Sequence, residues 1–181
     1  MYFGTLVDPT DRTRWTDAAS LDPEWDRRAE FVSRMIRPGT KVLDLGCGRM
    51  SLRQFLPNGC SYVGCDFIAR DAETIVCNLN IGEFPDSAAA VANVITMLGL
   101  LEYILDVPKL LRRVAGYGKE VIFSYHPTGS FRRRIRARRR VGWVSDLSWR
   151  RVDDIIVNIG YRLVEVRYWT PEQPVYHIAP R

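Results

Sequence analysis

The sequence predicts an α/β protein: a mostly parallel sheet of seven strands with helices on both faces, ended by an antiparallel hairpin. Three observations predict it. From residue 41 onward, short continuous apolar runs alternate with amphipathic segments, the pattern of parallel strands buried on both faces and joined by helical crossovers. A glycine pair, Gly46 and Gly48, interrupts that pattern directly after the first apolar run, where a strand hands over to a helix. Two β-rich runs, YRLVEVRYW and VYHIA, close the chain around the turn TPEQP.

The elements follow in order. Residues 1–22 are polar and turn-rich and read as an irregular arm, with a single domain over 23–181. Pro23 suits a first helical turn, and Trp25, Ala29, Val32 and Ile36 recur at helical spacing until Pro38-Gly39 stops the helix. KVLDL (41–45) is the first strand. SLRQFL (51–56) is a short helix ended by Pro57-Asn58-Gly59, SYVGCD (61–66) the second strand and TIVCNL (74–79) the third. The later part of AAAVANVITML (88–98) is the fourth. LDVPKLLRRVA (105–115) puts Leu110, Leu111 and Val114 on one helical face, and EVIFSY (120–125) is the fifth strand. SWRRVDDIIVN (148–158) is a helix ended by Gly160, followed by the two closing strands. Between the fifth strand and this helix lies an arginine-rich insert or lid, 131–147.

Composition narrows the class. At 181 residues, with 46% apolar and 26% charged residues, the chain has the make-up of one globular domain. No apolar run approaches the roughly 20 residues needed to span a bilayer. The N-terminus lacks a basic start followed by an apolar stretch. Cys47, Cys60, Cys65 and Cys77 show no metal-ligand spacing, and no histidine lies near them; the expectation is buried free thiols in a reducing cytoplasm and no metal. Of 26 basic residues only Lys41, Lys109 and Lys119 are not arginine, and seven arginines fall in FRRRIRARRR, 131–140. The basic character is therefore local.

The glycine loop belongs to a nucleotide-binding β-α-β unit. In open α/β sheets ligands sit at the carboxyl ends of the strands, where strand order reverses. Asp66, ending the second strand, is placed to accept both hydroxyls of a ribose. A dinucleotide and S-adenosylmethionine (SAM) use the same outline, and Asp44 separates them. It stands two residues before the first glycine, where its charge repels a pyrophosphate but not an ammonium or sulfonium. The third small residue of the dinucleotide pattern is here Ser51, tolerable rather than ideal. The balance tips to SAM; a nicotinamide-dependent oxidoreductase survives only if Asp44 faces away from the ligand.

VLDLGCG (42–48), YVGCD (62–66), GLLEYILDVPKLLRRV (99–114) and VIFSY (121–125), in that order, resemble the successive motifs of class I SAM-dependent methyltransferases. The resemblance covers about residues 24–179 and implies a Rossmann-like fold. It further implies that Asp44, Gly46, Cys47 and Gly48 line the methionine end of SAM, that Asp66 holds the ribose, and that Phe67 and Ile68 lie beside the adenine. Asn78, with Leu79 next to it, would meet the adenine amino group where the family often has an acid. Met97, Leu98 and Gly99 would run under the cofactor. Two departures stand out: Met50 replaces a frequent third glycine, and Tyr103 a frequent histidine. The reaction implied is methyl transfer to a small-molecule acceptor, leaving S-adenosylhomocysteine (SAH).

Each residue also has a plainer use. Asp44 can brace its loop, Asp66 and Asn78 can be turn residues, and His177 reads as structural. His126, after the fifth strand, is either a packing residue or a group that takes a proton from the acceptor. Tyr103 and Tyr125 are further catalytic candidates. The arginine run is a solvated lid helix, a site for an anionic sugar, acid or carrier-linked acceptor, or a nucleic-acid surface. Nucleic acid is disfavoured, because MLGL stands where amino-methyltransferases of DNA and RNA carry an NPPY-like tetrapeptide. A catalytically silent binding or scaffold protein is the alternative in another class.

Overall fold

A computed structural model describes residues 15–16, 22, 24–129 and 133–181, with side chains at 133 and 134 excepted. Most of the expected arm, and Arg132, lie outside the described residues. The chain order is α1 (Glu24–Ser33), β1 (Lys41–Leu45), α2 (Ser51–Phe55), β2 (Ser61–Asp66), β3 (Ile75–Val76), α3 (Asp86–Val91) and β4 (Val94–Leu98). Then come α4 (Val107–Ala115), β5 (Glu120–Ser124), α5 (Arg133–Arg140), α6 (Trp149–Asn158), β6 (Tyr161–Thr170) and β7 (Gln173–Pro180).

The seven strands form one sheet in the order β3-β2-β1-β4-β5-β7-β6. Pairs among the first five are parallel, and β7 runs antiparallel to both β5 and β6. The chain builds outward from β1 to β3, then returns to place β4 on the other side of β1. The reversal between β1 and β4 opens a crevice at their carboxyl ends.

Strand parity sorts the core. On β1, Leu43 and Leu45 face one side with Ile95, Met97, Val121 and Phe123, packed under Leu110 and Leu111 of α4 and Val152 and Ile155 of α6. Val42 faces the other side with Val94, Ile122 and Val175, packed under Ala29 and Val32 of α1 and Leu52 of α2. Each such buried aliphatic side chain contributes about 1.5–3 kcal/mol. Helix starts are capped as their residues dictate: the Asp106 carboxylate accepts the Lys109 amide at 3.0 Å, and Ser148 Oγ accepts the Arg151 amide at 3.3 Å.

Three expectations change. The third strand, expected over 74–79, contracts to Ile75–Val76. Asn78 ends it, because its side chain accepts the Asn80 amide and starts a 3-10 turn at Leu79–Ile81. The front of the 88–98 run is helical: alanines 88–90 fall in α3. Finally, the cysteines are not all free thiols. Parallel pairing of β2 with β3 sets Cys65 against Ile75, and two residues on Cys77 meets Cys65 as a disulfide with Cα atoms 6.7 Å apart. Cys47 and Cys60 are free. No helix among the described residues is long and apolar enough to cross a membrane.

Candidate functional site

The crevice holds a cleft of about 970 Å³, measured to its open mouth. Its floor is the loop after β1. The Gly46 and Cys47 amides donate to the Cys65 carbonyl at 2.8 and 3.1 Å, which folds the loop across the end of β2. Gly46 has φ +71, and a Cβ there would come 2.8 Å from Leu100 Cδ1, so only glycine fits. Met50 has the left-handed φ of 55, the conformation that glycine adopts at no cost. The methionine does not line the cleft.

Two carboxylates hold the loop. Asp66 at the end of β2 accepts the Gly48 amide at 2.7 Å and also the Ile68 amide and Arg70 guanidinium, both at 3.3 Å. Asp44 lies in the cleft wall, 3% exposed. It accepts the hydroxyls of Thr96 at 2.7 Å and Tyr62 at 2.8 Å. Burial pushes its carboxyl up to about 6, the Thr96 and Tyr62 hydrogen bonds holding it back. It braces the site through hydroxyls rather than backbone amides.

Of the residues expected to face a cofactor, Asp44, Gly46, Cys47, Gly48, Asp66, Phe67, Asn78, Leu79, Leu98 and Gly99 line this one cleft. Ile68 and Met97 do not. Ile68 turns away after donating its amide to Asp66. Met97 is fully buried in the α4/α6-side core, because alternation along β4 sends it to the face opposite Leu98.

A second cleft, about 660 Å³ to its mouth, opens on the other side of a shared wall made by Trp25, Arg28, Gly99 and Tyr103. It is lined further by Glu102, His126, Trp143, Trp169 and Gln173. His126 stacks on Trp143 with ring centres 4.9 Å apart, and Trp143 Nε1 donates to Tyr103 Oη at 3.0 Å. Burial, then the charges of Arg138 and Arg28, hold the His126 imidazole below its ordinary range, so it is neutral near pH 7.

Tyr125, a catalytic candidate from sequence, lies in neither cleft. It continues the inward parity of Phe123 and is 0% exposed, and its hydroxyl meets Ser145 Oγ and the Leu147 amide, both at 2.8 Å. That is a packing role. The arginine segment forms the solvated helix that was one of its readings, α5, except at one position. Arg138 turns inward, 6% exposed, bonding Asp146, the His126 carbonyl, Tyr125 Oη and the Ser145 carbonyl. Of the described residues in 131–147, only Trp143 reaches the clefts; no described arginine of α5 lines either.

Sequence reasoning missed Arg28. It is 8% exposed in α1, donates to the Leu98 carbonyl at 3.0 Å and leans over Gly99. Its Nε is buried with no hydrogen-bond partner. Burial holds the guanidinium below its ordinary range, against the pull of Glu102 and Asp44. Arg28 shares the inward stripe of Trp25, Ala29 and Val32, and a charged residue on an apolar helical face is the signal that marks it.

A family profile described as a methyltransferase domain matches residues 18–166. The chain belongs to the methyltransferase-domain family. Solved methyltransferase structures share its fold. An O-methyltransferase of neocarzinostatin biosynthesis, in complex with SAH and 1,4-dihydroxy-2-naphthoic acid, superposes at a TM-score of 0.69 with 14% identity, over 93% of this chain and 60% of its own. The mitomycin 7-O-methyltransferase gives 0.68 at 14% identity, over 91% and 56%. The magnesium protoporphyrin IX methyltransferase of Synechocystis PCC 6803, with bound SAH, gives 0.62 at 12%, over 93% and 94%. The chain spans little more than half the length of the two O-methyltransferases. A search of curated proteins by sequence found no match.

SAM is the cofactor of this methyltransferase family, and the first cleft fits it. A buried guanidinium with an unpartnered Nε calls for an anionic group, which an amino-acid carboxylate supplies. Asp66 accepts three hydrogen bonds within the chain, two of them on Oδ1, and since a carboxylate accepts about four, Oδ2 keeps one site for a ribose hydroxyl. Asp44 sits where a cationic centre is favoured and a pyrophosphate is not.

Proposed function

We propose that this methyltransferase-family chain is an enzyme that methylates a small-molecule acceptor, with SAM in the first cleft and the acceptor in the second. One observation carries the reading: the two clefts share four lining residues, Trp25, Arg28, Gly99 and Tyr103, so ligands in them would be neighbours.

When bound, the cofactor supplies an activated methyl group on a sulfonium. Arg28 would hold its carboxylate, Asp66 its ribose, and Asn78 with Leu79 its adenine. Asp44 would offset the cationic end. The residues of the second cleft then have three tasks. Trp25, Trp143 and Trp169 orient a flat acceptor and exclude water. Tyr103, braced by Trp143, fixes the border between the clefts. His126 or Glu102 accepts the proton that a neutral nucleophile gives up. The anionic acceptor expected from the arginine run loses its main support, because the described arginines of α5 lie outside both clefts.

Calorimetric titration with SAM, SAH and NAD tests the reading. Micromolar binding of both adenosyl ligands, absent for NAD and lost in Asp66→Ala, is the expected result. NAD binding alone, or adenosyl binding untouched by Asp66→Ala, overturns it.

A further inference from the structure

The second cleft has a chemical signature of its own, and assigning its occupant rests on the cofactor reading of the first. Its walls are rings: Trp25, Tyr103, His126, Trp143 and Trp169. Its charged groups, among the described residues, are mostly carboxylates, Asp22 and Glu24 on exposed α1-side positions and Glu102 deep inside, against one cation, Arg28.

Glu102 is the unusual member. It is 1% exposed in the 3-10 turn after β4. Its main-chain carbonyl anchors the lid, accepting the Val144 and Ser145 amides at 2.7 and 3.0 Å. Its Oε1 accepts the His126 amide at 2.8 Å, but its Oε2 is buried with no partner. A buried carboxylate oxygen without a donor is among the costliest groups to leave unsatisfied. Arg28 and Arg138 are the cations that act on it, and the Nε of Arg28 is itself unpartnered. Arg28 and Glu102 both line the second cleft.

We propose that the acceptor is a small amine carried on a flat ring, its ring held among the tryptophans and its protonated amino group donating to Oε2 of Glu102. The ring faces attract a cation as well as a flat apolar surface. Asp22 and Glu24 add attraction at the rim. Arg28 would oppose a cation, but a carboxylate in the first cleft engages its charge. Filling the first cleft therefore strengthens amine binding in the second.

Glu102 also gives the amine a route to reactivity. An ammonium has no lone pair to attack with. As its N–H bond breaks, the electron pair stays on nitrogen and the proton passes to Oε2 of Glu102. Burial raises the carboxyl above its ordinary range, which makes the ionised form a stronger base. The same dry surroundings weaken the ammonium's hold on its proton. Glu102 is then a catalytic residue for an N-methylation: the freed pair would form the bond from nitrogen to the methyl carbon as the carbon–sulfur bond breaks, that bond's pair staying on the sulfur of SAH.

The test is calorimetric titration of the whole protein with phenethylamine, phenethyl alcohol and phenylacetate, each with and without saturating SAH. These probes share a ring and differ in the group offered to Glu102. The expected order is amine, alcohol, carboxylate, with the amine about tenfold or more ahead of the alcohol. SAH should tighten the amine and leave the alcohol nearly unmoved. In Glu102→Gln, which keeps an oxygen for the His126 amide, the amine should fall to the level of the alcohol while SAH still binds. Alcohol or carboxylate binding as tightly as the amine overturns the proposal, as does an amine preference that survives Glu102→Gln. Failure of SAH to bind strikes the cofactor reading instead, and the three-probe order on the protein alone still decides the acceptor class.

Discussion

Replacing Asp44 by Asn should make the protein more stable and less able to bind its cofactor, and the size of the gain can be worked out. Asp44 is 3% exposed, and burial lifts its carboxyl from an ordinary 3.8 to about 6. At about 1.4 kcal/mol for each tenfold change in acidity, holding it ionised in the fold costs about 3 kcal/mol. The folded value lies above the unfolded one. The stabilising contribution of the protonated form is therefore complete below about pH 4 and is lost as pH rises through about 6. At pH 8 the fold carries the whole penalty, and Asn removes it. Asn keeps one acceptor oxygen for Thr96 or Tyr62 and turns an amide toward the other hydroxyl, at a cost of about 1 kcal/mol. The net gain of about 2 kcal/mol corresponds to a rise in Tm of about 4–8 °C. Scanning calorimetry without ligand, from about pH 4 to pH 8, reads it directly. At the acid end the gain should give way to a loss of about 1 kcal/mol, the hydrogen-bond cost alone, and titration with SAM should show weakened binding at pH 8. A variant less stable than the parent at pH 8, or a difference that stays flat with pH, would refute the argument that burial governs this carboxyl.

Three further substitutions probe the shared wall and the arginine segment. Gly99→Ala places a Cβ 2.6 Å from Arg28 Nη1 at a residue with φ +70. It should cost about 1–2 kcal/mol in backbone strain, push the guanidinium off the Leu98 carbonyl, and lower SAH affinity about tenfold by calorimetry. Unchanged affinity would mean that Arg28 does not hold the cofactor. Arg138→Met strips four acceptors of a buried donor and should lose about 3–5 kcal/mol in urea unfolding, whereas exposed Arg140→Ala should move stability by less than about 0.5 kcal/mol; equal effects would show that the inward arginine is not what holds the lid.

The first cleft was legible as a cluster because its constraints are local. A strand, a turn that requires glycine and the acid of the next strand lie within residues 41–66, and parallel pairing of β1 with β2 brings them together in register. Strand parity separates two residues that position alone confuses. Tyr125 shares the face of Phe123 and Val121, and Met97 that of Ile95, both toward the α4/α6 core. Leu98 shares the opposite face with Val94, beside the cleft. The arginine run hid its buried member because seven similar residues in one short segment give no pattern that singles out Arg138. The Cys65–Cys77 bridge needed the neighbour of β2 to be known, which is a matter of topology and not of spacing.

The second cleft, proposed for the acceptor, resists reading for a deeper reason. Its lining is scattered along the chain, from Asp22 through Glu102, His126 and Trp143 to Gln173, and is brought together only by the finished fold. What marks it is a pair of charges that the fold buries without joining. Arg28 and Glu102 each keep an unpartnered polar atom, although each is among the charges that act on the other. Stability alone would favour giving both atoms partners, since a buried polar atom left unpaired is costly. On the proposed reading ligands complete the pairing: an anion engages Arg28 and a hydrogen-bond donor engages Glu102. Each ligand relieves a repulsion that the other would meet, so the two clefts should fill cooperatively.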